Sequence, residues 1–118
     1  MNKIELLRRT RLFALGVFNL IDKIPKSKAT DVIAYQLLKS SSSVAANYRA
    51  VNRAKSKLDF CNKLKIVLEE ADESNFWLTF IKDLELFVSN REIDLLIKES
   101  GEFVAIFTAS VKTINQDK

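Results

Sequence analysis

The chain has 118 residues, enough for one domain, and only two glycines and one proline, too few for the many turns of an all-β fold of this size. It contains no histidine, which removes His-based acid–base chemistry, Ser-His triads and most transition-metal sites. The formal charge of +4 conceals a division: residues 1–65 carry 14 Lys/Arg against 4 Asp/Glu, and residues 66–118 carry 5 against 11.

The first predicted helix runs from residue 3 to 24. Leu7, Thr10, Ala14, Val17, Ile21 and Ile24 recur at steps of three and four, and Leu6, Phe13 and Leu20 widen that stripe. Pro25 ends it. The second helix spans 30–54, with Ser27 or Thr30 as N-cap and Asp31 in its first turn. Its stripe is Ala34, Leu37, Ser41, Val44, Tyr48 and Val51. The periodicity passes through the four consecutive serines 40–43, which places the run inside a helix. Ser41 then lies on the apolar stripe and Ser40 at its edge. Ser42 and Ser43 face outward beside Lys39, Ala46, Ala50 and Arg53.

Ser56, with Asp59 three residues on, opens a third helix over 57–88. Phe60, Leu64, Val67, Ala71, Leu78 and Ile81 form its core stripe. Trp77, Phe80, Leu84 and Phe87 form a second one; two apolar faces on the same turns imply either deep burial or a partner, and in so short a chain a partner subunit is the expectation. Ser89 or Asn90 caps the fourth helix, 91–115, whose stripe runs from Ile93 and Leu96 through Ser100, Phe103 or Val104 and Phe107 to Val111 and Ile114. Gly16 and Gly101 lie inside helical patterns, where close approach of a neighbouring helix would explain them. Four helices joined by short turns give an all-α, antiparallel up-down-up-down four-helix bundle.

Little in the sequence suggests catalysis. Glu69, Glu70 and Glu73 form a carboxylate cluster, but a di-metal bundle site also wants Glu-x-x-His pairs, so a solvated face or a docking patch for the basic half is the expectation. Cys61 has no base to activate it and is expected to be a buried small side chain. No enzyme activity, cofactor or metal is expected. With a single cysteine, no apolar run of membrane-spanning length and no signal-peptide pattern, the expected location is the cytoplasm.

The basic residues are the main functional signal. Lys39, Arg49, Arg53, Lys55, Lys57 and Lys63 straddle the turn between helices two and three, and Arg8, Arg9 and Arg11 add a second cluster. The small Ser and Ala side chains between Lys39 and Arg53 would let a phosphate backbone approach, or equally another helix. Tyr35 and Tyr48 make no aromatic ladder for bases, so binding of RNA or DNA would rest on shape and charge. Alternatively, the basic half meets the acidic half within one chain or between subunits.

Residues 37–78 resemble the signature of the bacterial four-helix bundle proteins named after intervening sequences in 23S rRNA genes. The resemblance is carried by Ser43-Val44-Ala45-Ala46-Asn47-Tyr48, the basic stretch Arg49, Arg53, Lys55 and Lys57, and the pattern from Phe60 through Leu64 to Glu69, Glu70, Ala71 and Asp72. Lys23-Ile24-Pro25-Lys26 matches the usual end of helix one. The resemblance implies an antiparallel bundle that assembles as a homopentamer. It also implies kinship with the accessory proteins of diversity-generating retroelements, thought to bind nucleic acid and a protein partner, a reverse transcriptase. It transfers no catalytic residue. The expectation is a non-enzymatic homo-oligomer that binds RNA or DNA non-specifically through Lys39, Arg49, Arg53, Lys55, Lys57 and Lys63, with Trp77, Phe80, Leu84 and Phe87 at the oligomer interface. The alternative is a structural scaffold or protein-interaction module whose charges serve self-assembly. No membrane is involved in either.

Overall fold

A computed structural model describes residues 2–116. Among the described residues there are four helices: α1 (Lys3–Ile21), α2 (Lys28–Val51), α3 (Lys57–Asp83) and α4 (Arg91–Gln116). Each packs on its neighbour in sequence, and α1 and α4 close the ring of four along the sparsest seam. The result is an antiparallel bundle measuring 48 × 22 × 21 Å. Among the described residues there is no strand, and no helix is long and apolar enough to cross a membrane.

The boundaries follow local chemistry. α1 stops three residues before the expected position: Lys23 and Ile24 turn in tightly, their N–H groups reaching Leu20 and Ile21 at 3.0 and 3.1 Å, ahead of Pro25. α2 starts earlier than expected because Ser27 is the cap. Its Oγ accepts from Thr30 N–H at 3.1 Å while Thr30 Oγ1 accepts from Ser27 N–H at 2.9 Å, so Thr30 is the reciprocal member of a capping box. The largest departure is at the end of α3, which stops at Asp83 rather than near residue 88. Leu84 is the C-cap and Glu85 takes a left-handed backbone at φ 56°, a conformation usually left to glycine. The second stripe is therefore cut short, and Phe87 sits in the connector rather than on the helix.

The core follows the predicted stripes with small rotations. On α1 the buried side chains are Leu6, Thr10, Phe13, Val17 and Leu20, so the residues expected to widen the stripe form its centre. On α3 Cys61 is buried where Phe60 was expected, and Phe60 is exposed. Phe13, Phe103 and Phe107 form an aromatic column, the first pair edge-to-face at 5.5 Å and the second stacked at 6.0 Å.

Both Ser40 and Ser41 are fully buried. Ser74 of α3 donates to Ser40 Oγ at 3.0 Å, and Ser40 Oγ donates to the Leu37 carbonyl at 3.2 Å. Between α3 and α4, Asn75 Nδ2 donates to Ser100 Oγ at 2.9 Å. Buried hydroxyls held this way meet the need for a partner inside a core.

The two glycines differ. A Cβ on Gly16 would come within 3.1 Å of Leu96 Cδ2, so α1 approaches α4 through that missing side chain. A Cβ on Gly101 would meet its nearest neighbour, Asn75 Nδ2, only at 4.0 Å. Gly101→Ala is therefore expected to stabilise the protein by about 0.5–1 kcal/mol, read as a higher urea midpoint with unchanged slope. An unchanged or lower midpoint would show that position 101 needs its glycine.

Candidate nucleic-acid interface

Four of the six basic residues singled out in the sequence come together. Arg49, Arg53, Lys55 and Lys63 line one open depression of about 670 Å³, where Ala46, Ala50 and Asp59 complete the lining. Arg49 lies in the last turn of α2, and Arg53 follows its C-cap, Asn52. The chain then leaves the helix through tight turns, with Arg53 and Ala54 N–H groups reaching the Ala50 and Val51 carbonyls at 2.9 and 3.1 Å. That path delivers Lys55 to the same corner.

Asp59 organises the corner. Ser56 Oγ caps α3 by accepting from Asp59 N–H at 3.0 Å. The Asp59 carboxylate then accepts from Lys55 N–H at 3.0 Å and from the Lys63 ammonium. The bond from Lys63, followed by that from the Lys55 backbone, lowers the Asp59 pKa below its ordinary value. Lys63 is thus partly neutralised. Arg49, Arg53 and Lys55 are exposed, and none of the three side chains forms an ion pair with a carboxylate among the described residues.

The other two basic residues lie elsewhere. Lys57 is exposed at the first position of α3, outside the lining of the depression. Lys39 is ten residues before Arg49 on α2, about 15 Å along the axis. It lies close enough to Glu70 to favour that carboxylate's charged form, although burial, followed by the charge of Glu73, raises the Glu70 pKa on balance. The expected cluster on α1 is also divided. Arg8 and Arg11 are exposed, whereas Arg9 turns to α4: its Nε donates to Glu99 Oε2 at 2.9 Å and its Nη2 to Glu102 Oε1 at 3.2 Å. The Arg9 guanidinium also lies 5.4 Å from the Phe103 ring centroid. Its pKa is raised further above the ordinary arginine value, first by the hydrogen bond to Glu99.

A second groove adjoins the first, between α1 and α2. It has a volume of about 530 Å³ and shares Ala46 and Arg49 with the basic depression. Arg11, Leu15 and Phe18 of α1 and Ser42 and Ala45 of α2 also line it. Sequence reasoning did not isolate this groove, because Leu15 and Phe18 fall off the core stripe. Their signal was their spacing from Arg11 at steps of four and three.

The four residues expected at an oligomer interface are placed unequally. Phe80 and Leu84 are each 42% exposed, but Trp77 and Phe87 are partly buried and packed against the core. Phe76, which the spacing argument passed over, is 53% exposed, and its ring lies 4.9 Å from that of Trp77 and 6.0 Å from that of Phe80. The exposed outer face of α3 therefore carries Phe76 and Phe80, preceded by exposed Glu69 and Glu73. Among the described residues no group of three Asp, Glu or Cys side chains is arranged to hold a metal ion.

No curated protein matches the chain. Among solved structures it is similar to a crystal structure of a protein of unknown function from the S23 ribosomal protein family of Bacteroides thetaiotaomicron VPI-5482. The two share 28% identity over 95% of this chain and 99% of that one, with a TM-score of 0.82. The family model described as 23S rRNA-intervening sequence protein matches residues 2–109, and the chain belongs to that family.

Proposed function

We propose that the protein is a non-enzymatic homo-oligomer, a pentamer as the resemblance implies, that binds RNA or DNA through its basic corner. The observation that carries this reading is the convergence of Arg49, Arg53, Lys55 and Lys63 on one open depression with a single carboxylate, Asp59, in its lining. Small Ala46 and Ala50 side chains leave room for a phosphate backbone to reach the arginines. None of the residues that line this depression is aromatic, so recognition rests on charge and shape.

A titration against salt tests this. Affinity for a structured RNA should fall linearly in log–log coordinates, with a slope of about −0.9 per phosphate neutralised on a duplex. Affinity that stays flat as salt rises would rule the mechanism out.

For assembly, Phe76→Asp and Phe80→Asp are expected to break the oligomer while leaving helix content unchanged, because both side chains are half out of the fold already. Retention of the wild-type mass in light scattering would remove this face from the interface. Trp77→Asp is a poorer test: the ring packs against the core, so the charge would also destabilise the fold.

A second reading, a scaffold or protein-interaction module whose charges serve self-assembly, is supported by the exposed acidic and aromatic face of α3. On that reading the oligomer dissociates as salt rises and no nucleic acid binds.

A further inference from the structure

We propose that the α1–α2 groove receives the outer face of α3 from a second copy of this chain. The inference rests on the homo-oligomer reading above and adds which two surfaces meet.

The groove has two chemically distinct ends. The six-residue connector between α1 and α2 makes them antiparallel, so late α1 lies beside early α2. Arg11 of α1 and Arg49 of α2 therefore share one end of the groove. Leu15 and Phe18, 51% and 46% exposed, lie toward the other end, alongside Ser42. Its occupant needs carboxylates at one end and apolar side chains at the other, repeated at helical spacing.

The outer face of α3 carries that pattern. Glu69, Glu73, Phe76 and Phe80 step by four, three and four, and all four are exposed. Arg11, Leu15 and Phe18 step by four and three on α1. With α3 of one copy parallel to α1 of the next, Phe76 and Phe80 lie over Leu15 and Phe18, and Glu73 comes to Arg11, while Arg49 on the shared rim stays turned to the basic depression. The small Ala45 and Ser42 side chains let the incoming aromatic rings sit low in the groove. Charge sets the register and direction, and apolar contact holds it.

The two surfaces are different parts of the molecule, so the contact is head-to-tail. Each copy offers one face and one groove, and a constant rotation between copies closes a ring or continues as a filament. Arg53, Lys55 and Lys63 do not line this groove and stay open to a polyanion.

Sedimentation equilibrium of the full chain tests the arrangement. Leu15→Glu and Phe18→Glu should each reduce the wild-type oligomer toward the 13.5 kDa monomer while circular dichroism stays constant. Arg11→Glu and Glu73→Arg should each weaken assembly at least tenfold, and the chain carrying both should recover to within about threefold of wild type, which a merely structural role would not produce. If the Leu15 and Phe18 variants keep the wild-type mass, the pairing is wrong and the oligomer reading survives. A monomeric wild type would overturn both. If a 12-nucleotide RNA, and not self-association, perturbs the amide resonances of Ala14 to Phe18, the groove belongs to nucleic acid and the proposal falls.

Discussion

Arg49→Ala combined with Arg53→Ala is expected to weaken RNA binding by roughly 50-fold near 0.1 M salt, and to make the log–log salt slope shallower by about 1.8 on a duplex. Each arginine contributes one phosphate contact in the proposed mode. Both side chains are exposed, and neither is paired with a carboxylate among the described residues, so the loss should appear in binding and leave folding intact. Two controls sharpen the result. Lys63→Ala should cost less, because Asp59 already holds its ammonium. Lys39→Ala should cost least, since Lys39 lies outside the depression and near Glu70. Equal losses for Lys39 and Arg53 would show that binding does not centre on this corner.

Phe103→Ala is expected to cost about 3–5 kcal/mol of stability, read as a lower urea midpoint with little change in slope. The side chain is fully buried, meets Phe13 edge to face and stacks on Phe107. Its ring also lies under the Arg9 guanidinium, which is tied to Glu99 and Glu102 across the sparse α1–α4 seam. Truncation therefore opens a cavity at the centre and removes a support for the ion pair that closes the bundle. Small domains have about 5–15 kcal/mol of net stability, so this one change would consume a large share of it. A loss below 1 kcal/mol would mean that the column can collapse around the gap.

Most of the architecture could be read from periodicity, because four amphipathic segments separated by Pro25, Ser56 and Ser89-Asn90 admit few arrangements other than a bundle. What escaped depends on geometry that a single helix does not encode. The end of α3 was misplaced because Glu85 takes the left-handed position without the glycine that normally marks it. Arg9 was grouped with Arg8 and Arg11 because only the position of α4 decides that it turns inward. Phe60 left the core stripe, while Cys61 is buried as expected, because neighbouring positions on a helix differ by 100° and a stripe one residue off centre fits the spacing nearly as well. At the basic corner, residue types and sequence proximity identified Arg49, Arg53, Lys55 and Lys63. The separation of Lys39 followed from the rise along α2, and the tethering of Lys63 from the cap of α3.

The buried serines have one more consequence. Ser74 bonds to Ser40 across one seam, and Asn75 to Ser100 across the next, so three helices are tied by polar contacts arising from adjacent residues of α3. Sliding α3 by one turn would move those groups about 5.4 Å, separating both bonds and setting hydroxyls against aliphatic side chains. Purely apolar seams tolerate such slips at modest cost. These contacts act as an axial index that fixes the height of α3 relative to α2 and α4. The same index fixes the level at which Phe76 and Glu73 emerge on the outside, so the molecule presents its outer face at one height only.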